Sequence, residues 1–212
     1  MRTRSAILPR SEARDAAGGA EQVAERIVQR RPSDARLREL ILHLSLGSQA
    51  DESFGLVKLN KLLFFCDFSA YRKFGRSITG QQYLAQEWGP CPRRMKPVSD
   101  AMQNSGQLAI QKRAYYGHEQ RRPVALREAD LSGFAAEEIA LSDEWVQRLW
   151  GTGGRQISDV SHGFIGWEIA EIGDPIPYSM ALVSGRQPTL AERRRGLAFE
   201  ESARACLAAD TA

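Results

Sequence analysis

The residues of this sequence that could catalyse a reaction or bind a metal are few and scattered. They include three cysteines and three histidines, and no pair of them has the spacing of metal ligands: Cys66, Cys91, Cys206, His43, His118 and His162. Ser158, Asp159 and His162 supply the residue types of a hydrolase triad, but on one predicted helix they would rarely converge on a shared substrate. Residues 151–154 are rich in glycine but lack the lysine and hydroxyl residue of a phosphate-binding loop. The sequence therefore predicts a binding protein with no catalytic residue, cofactor or metal.

The composition is ordinary for a soluble globular protein. The 212 residues are 42% hydrophobic and 26% charged, and no apolar run approaches the roughly 20 residues that span a bilayer. The first residues lack the apolar core of a secretory signal, and the odd number of cysteines fits a reducing compartment. We expect a cytoplasmic protein with no membrane contact.

The net charge of +3 is modest, but the basic residues are clustered. They are concentrated in the middle of the chain: Arg93, Arg94, Lys96, Lys112, Arg113, Arg121, Arg122 and Arg127. Such clusters usually form a solvated face, and the alternatives are a surface for an acidic protein or for nucleic acid.

Helical periodicity dominates the elements that must position these residues. The segment GLVKLNKLLFFCDFSAYRKFG (55–75) has apolar residues on more than one helical face, which predicts a central helix that ends at Gly75. A further helix is expected from Pro92 to Gly106, although Pro97 is unfavourable within it. From Asp130 the pattern is helical again, with residues 142–144 as a cap and first turn.

A small antiparallel β element interrupts these helices. Leu108–Tyr116 and Arg122–Leu126 resemble two strands joined around residues 117–120. We therefore predict a mainly α, compact domain around a central hydrophobic helix, with a small antiparallel β element. The expected organisation is a loosely helical extension over 1–32, one domain over 33–185 and a C-terminal helical extension over 186–212.

Three stretches resemble the signature of the Panacea domain family, the SocA-like antitoxins. The first is the lysine-bearing aromatic helix over 58–67, and the second is the turn Gly75-Arg76 with Ile78-Thr79-Gly80, followed by Trp88-Gly89-Pro90. The third is Ile157–His162 with Trp167 downstream, and Ile176-Pro177-Tyr178 resembles a short closing segment. The likeness extends over roughly residues 34–183, without the segment Arg113–Arg127 and the two termini.

The resemblance implies a mainly α domain that bacteria and phages use to neutralise toxins encoded beside it. Its partner would be a cognate protein toxin encoded nearby. A protease to which the toxin is delivered and the DNA of the chain's own operator remain open as alternatives. The oligomeric state is open.

The expected partner-binding residues combine aromatic and basic side chains with positions from the resemblance: Asp67, Trp88, Tyr115, Tyr116, Arg121, Arg122, His162 and Trp167. Asp67 lies on an apolar helix and needs a partner, for which Arg72, Arg76 or a backbone amide are candidates. His162 packed on Trp167 could also be purely structural. Specificity is expected in the unmatched basic hairpin and the termini.

Overall fold

A computed structural model describes residues 30–183, 189–191 and 193–195. The helices are α1 (Asp34–Gly47), α2 (Leu56–Phe74), α3 (Met95–Asn104), α4 (Ala136–Arg148), α5 (Gly154–His162) and α6 (Ile165–Glu168), with a 3-10 helix over Tyr178–Leu182. The strands are β1 (Tyr83–Leu84), β2 (Cys91–Pro92), β3 (Leu108–Tyr115), β4 (His118–Ala125) and β5 (Pro175–Ile176). The predicted fold class, mainly α with a small antiparallel β element, is confirmed.

The central helix is α2, as its apolar pattern predicts. One side packs into the main core, where Leu59, Leu62 and Cys66 are fully buried. Another side enters an aromatic cluster in which the rings of Phe64 and Phe68 are 4.5 Å apart. The helix ends at Gly75, whose φ of 72° is the left-handed conformation that glycine adopts without a Cβ penalty.

The strands form two separate antiparallel sheets. The first has the order β2–β1–β5, with Tyr83 opposite both Pro92 and Ile176. The second is the two-stranded hairpin β3–β4, which runs in register from the pair Leu108–Ala125 to the pair Tyr115–His118.

The hairpin is longer and its turn tighter than the sequence indicated. The predicted turn at residues 117–120 is wrong, because Tyr116 and Gly117 alone connect the strands. Both have positive φ, 44° and 80°, as a two-residue turn with the right-handed strand twist requires. Tyrosine rarely adopts this conformation, so the residue types at 116 and 117 did not indicate the turn.

The predicted start of α3 at Pro92 is also wrong, since Pro92 belongs to β2 and the helix begins at Met95. Pro97 is thereby the third helical residue, and the first α-helical hydrogen bond comes from the amide of Val98 to Arg94 O. Pro97 therefore stands where its missing N–H has no helical partner to lose. Residues 142–144 lie inside α4 rather than at a cap, and α4 begins at Ala136 rather than at Asp130.

Glu138 ties the start of the described chain to the domain. It is 1% exposed and accepts hydrogen bonds from Arg30 Nη2 (2.8 Å), Arg36 Nη2 (2.6 Å) and its own capping amide at Ala135 (3.0 Å). Residues 1–29 of the predicted extension lie outside the described residues. A second unit begins at Val183; of the predicted C-terminal helix, only 189–191 and 193–195 are described, and Leu190, Ala191 and 193–195 are helical.

Candidate functional site

The loop that joins β1 to β2, residues 85–90, presents a large indole to solvent. Trp88 is 61% exposed, although tryptophan usually buries most of its surface. Three alternate carbonyls of this loop accept side-chain hydrogen bonds from three different helices. The bonds run from Trp167 Nε1 to Gln86 O (3.1 Å), from Ser158 Oγ to Trp88 O (3.4 Å) and from Lys61 Nζ to Pro90 O (3.5 Å). We call residues 85–90 the Trp88 loop.

Gly89 permits this arrangement for two reasons. Its φ of 91° is strained for residues with a side chain. A Cβ at this position would also lie 2.7 Å from Lys61 Nζ and closer still to Ser161 Oγ. Both the backbone conformation and the close packing therefore favour glycine at position 89.

Lys61 is a buried cation without a counter-charge. It is 2% exposed, and no carboxylate pairs with it within the part of the chain that the structure describes. Burial lowers the pKa of Lys61 to about 8, an effect that the nearby Cys91 partly offsets. Burial also raises the pKa of the Cys91 thiol to about 11.

Lys58, one helical turn earlier on α2, is buried with a full set of partners. Its ammonium group pairs with Asp51 and donates to Ser53 Oγ (2.9 Å) and Thr152 O (3.2 Å). Sequence reasoning noted both lysines only within the resemblance and missed their burial, because lysine is almost never buried unless paired. Their position on an otherwise apolar helix was the available signal.

Trp167, stacked on His162, is one of the side chains that hold the Trp88 loop. Their rings stack with centroids 3.8 Å apart at 10°, and the indole donates to the loop through Gln86 O. His162 Nε2 is buried with no hydrogen-bond partner in the described residues. The structure thus brings Trp88, His162 and Trp167 together.

Asp67 lies elsewhere, in the polar part of the aromatic cluster. It is fully buried and accepts hydrogen bonds from the Thr79 amide (2.7 Å), the Thr79 hydroxyl and the Tyr83 hydroxyl (2.8 Å). Burial raises its pKa, and these hydrogen bonds oppose the shift. Of the partners expected from sequence, the backbone amide is present and the arginines are not. With no exposed surface, Asp67 fixes the turn after α2.

Arg122 anchors the hairpin to the loop between α1 and α2. Its guanidinium group donates to four main-chain carbonyls of that loop: Gln49 O (2.5 Å), Asp51 O (2.8 Å), Phe54 O (3.3 Å) and Ser48 O (3.5 Å). Burial lowers the pKa of Arg122, and only 6% of the residue is exposed. Its role in this structure is to hold the hairpin in place.

The remaining predicted residues lie on the exposed part of the hairpin. Tyr116 is 85% exposed at the tip, and its ring contacts that of Tyr115 at 4.7 Å. Arg121 is exposed on β4 beside the buried Arg122, as the alternation of side chains along a strand requires. The structure therefore places these three residues on a different element from the Trp88 loop.

Two grooves lie beside the hairpin, and the first of them extends to the Trp88 loop at Gln86. The first, of about 400 Å³, extends from Gln86 and Cys91 to Arg121. The second, of about 370 Å³, lies between the start of α2 and the hairpin and includes Val57 and Tyr115. Leu56 and Arg121 line both grooves. Of the predicted residues, Tyr115 and Arg121 thus line these grooves.

Among residues 30–183 and the short described stretches after them, no cluster of histidine, cysteine and acidic residues could hold a metal ion. No described helix is long and apolar enough to cross a membrane.

Comparison with known proteins gives one family. The family model described as "Antitoxin SocA-like, Panacea domain" matches residues 59–168, just over half of the 212-residue chain. The matched range contains the Trp88 loop and all three of the side chains that hold its carbonyls. Neither the curated proteins nor the solved structures contain a match to the chain.

Proposed function

Since the chain belongs to the Panacea-domain family of SocA-like antitoxins, we propose that it binds a partner toxin in the cytoplasm directly and neutralises it by covering the toxin's working surface. An antitoxin family points to a regulatory, non-enzymatic role. The partner would be a protein encoded beside this chain.

The single observation that supports binding through this face is the construction of the Trp88 loop. Side chains from α2, α5 and α6 converge on three carbonyls of one short loop, and the loop exposes its largest apolar side chain to water. Removing exposed apolar surface from water is favourable, so a partner protein that covers this side chain would gain binding free energy. A loop whose main chain is already held loses little backbone entropy on binding, and tryptophan is common among interface hot spots.

The surroundings of the loop enlarge this surface. Val57 at the start of α2 is 39% exposed, and Tyr116 at the hairpin tip is 85% exposed. Together with the two grooves and the hairpin, these residues offer the mixed apolar and polar surface of a protein interface. A stable complex would bury on the order of 1,600 Å² in total.

A growth assay tests the proposal. The genes adjacent to this one are expressed singly, and any that stops growth is expressed again with the full chain. We expect rescue by the wild type, loss of rescue by Trp88→Ala, and full rescue by Leu126→Ala, which alters another exposed apolar side chain, 55% accessible, outside the site. If the wild-type chain rescues no neighbouring toxin and co-purifies with none, the proposed function is wrong.

A further inference from the structure

The first groove combines an apolar floor with a basic rim. Its floor is formed by Leu56, Leu84, Cys91, Pro92 and Met95. Polar and charged side chains from the Trp88 loop, α3 and the hairpin surround that floor. A groove of about 400 Å³ accommodates an apolar side chain together with adjacent main chain.

Two arginines on this rim have no carboxylate partner in the part of the chain that the structure describes. Arg93 donates to the side-chain oxygen of Gln82 at 3.0 Å, and Arg121 makes no side-chain hydrogen bond or ion pair within the described residues. The other charges of the groove, Lys96 and Asp100, pair with each other at 2.6 Å. The groove therefore carries two uncompensated positive charges.

The opposite strand of the hairpin increases the positive charge beside the groove. Lys112 stands directly across from Arg121 in the β3–β4 register, and like charges in such a pair destabilise a sheet. Glu119 pairs with Lys112 at 3.1 Å and leaves Arg121 uncompensated. An anion bound near Arg121 would relieve this repulsion.

One uncharged atom indicates the class of occupant. Asn60 lines the groove, and its Oδ1 is buried without a hydrogen-bond donor among the described residues. A polypeptide offers backbone N–H donors, whereas the sugar-phosphate backbone of DNA offers none. A peptide could place an apolar side chain on the floor, carboxylates beside the arginines of the rim and a backbone N–H at Asn60 Oδ1.

We infer that the toxin contributes an acidic segment with an apolar anchor residue, and that this segment occupies the groove between the Trp88 loop, α3 and Arg121. The inference rests on the proposed function and adds to it the chemistry of the partner. The Trp88 loop reaches the groove through Gln86, and Arg93 and Arg121 select carboxylates along the groove. Specificity is then set by the hairpin residue Arg121 in combination with the family-like loop.

The test compares charge reversal in the groove with a matched reversal outside it. The full chain carrying Arg93→Glu and Arg121→Glu is compared with the wild type and with the double variant Arg31→Glu/Arg72→Glu, which has the same net charge. The binding partner is the neighbouring toxin that the wild type rescues, used as purified protein. We expect the groove variant to lose about a hundredfold or more in affinity and the matched variant to stay within about threefold. Unchanged thermal midpoints establish that all variants are folded.

Salt dependence and a DNA control complete the test. Wild-type affinity should fall about tenfold between about 50 mM and about 500 mM NaCl, and the variant Arg93→Gln/Arg121→Gln should lose most of that dependence. If the wild type rescues and the groove variant binds equally well, the groove assignment is wrong while the antitoxin function stands. The DNA control uses a fragment of the promoter of this chain's gene. If Arg93→Glu/Arg121→Glu loses binding to that fragment while its toxin binding is unchanged, an acidic toxin segment in the groove is also excluded.

Discussion

Lys58 and Lys61 lie three residues apart on α2, and both are buried, but among the described residues only Lys58 has a carboxylate partner. A buried charge without a partner destabilises a protein unless its contacts compensate. Lys61 is nevertheless the residue that holds Pro90 O and contacts Gly89. We interpret Lys61 as a positioning residue for the Trp88 loop, retained at the expense of stability.

The pH dependence of Lys61→Met tests this interpretation. The pKa of Lys61 is about 8 in the folded chain, against 10.5 for the free side chain. Between these values the unfolded chain binds more protons, so the contribution of this group to stability rises with pH. The free energy of unfolding of Lys61→Met relative to the wild type should therefore decrease by roughly 3 kcal/mol from about pH 7 to about pH 10.5.

Urea unfolding across that range measures the difference. Lys73→Met, at a lysine 51% exposed, is the control and should show a nearly constant difference. A constant difference for Lys61→Met as well would mean that Lys61 is not a desolvated amine.

At the scale of elements, the Trp88 loop is positioned by close packing at one glycine. Gly89→Ala introduces both backbone strain and a Cβ in contact with Lys61 and Ser161. Gly173→Ala is a matched control, because Gly173 has a φ of 100° but open space around its Cα. We expect Gly89→Ala to be destabilising by about 1 kcal/mol or more beyond the control and to weaken toxin binding. Equal thermal unfolding and equal binding of the two variants would contradict the close packing of this loop.

Adjacent arginines on β4 should separate folding from recognition. Arg122→Met removes the donor to four loop carbonyls and should lower the free energy of unfolding by on the order of 3 kcal/mol. Arg121→Met changes an exposed side chain and should change stability by less than about 0.5 kcal/mol while reducing toxin affinity. Chemical unfolding and titration calorimetry on both variants distinguish the two roles. A stability loss in Arg121→Met and an affinity loss without a stability loss in Arg122→Met would contradict these two roles.

The elements differ in how far they could be predicted, and the reasons are local. Helix α2 and its end at Gly75 follow from apolar periodicity and a glycine stop signal, so they were predicted correctly. The hairpin turn was not, because Tyr116 occupies a conformation that its residue type rarely adopts. Three residues of the candidate loop site were named beforehand, Trp88, His162 and Trp167, but Lys61 and the groove depend on tertiary contacts over separations such as 29 residues between Lys61 and Pro90.

At the scale of the whole molecule, the proposed binding side lies within a limited part of the chain. The Trp88 loop, its three supporting residues and Arg121 all fall between residues 59 and 168, the range that matches the family. Before α1, Arg30 attaches the described chain to the domain through hydrogen bonds to Ser77 O and to the Glu138 carboxylate. We therefore expect binding by occlusion to need none of the residues before Arg30.

Removal of residues 1–29 separates occlusion from delivery to a protease. We expect the shortened chain, which keeps Arg30, to bind and neutralise the toxin as the full chain does. An adapter that tethers a protease through its N-terminal residues would instead bind the toxin normally and fail to rescue growth. Rescue and co-purification, measured side by side, show which of the two is correct.

Amide hydrogen exchange of the full chain, with and without its purified partner toxin, tests the central claim most directly. We expect a stable complex in which exchange slows in residues 85–90, at the start of α2 and along β4 near Arg121. A complex that leaves all three regions unchanged and slows exchange only elsewhere, or the absence of any complex at micromolar concentrations, would contradict it.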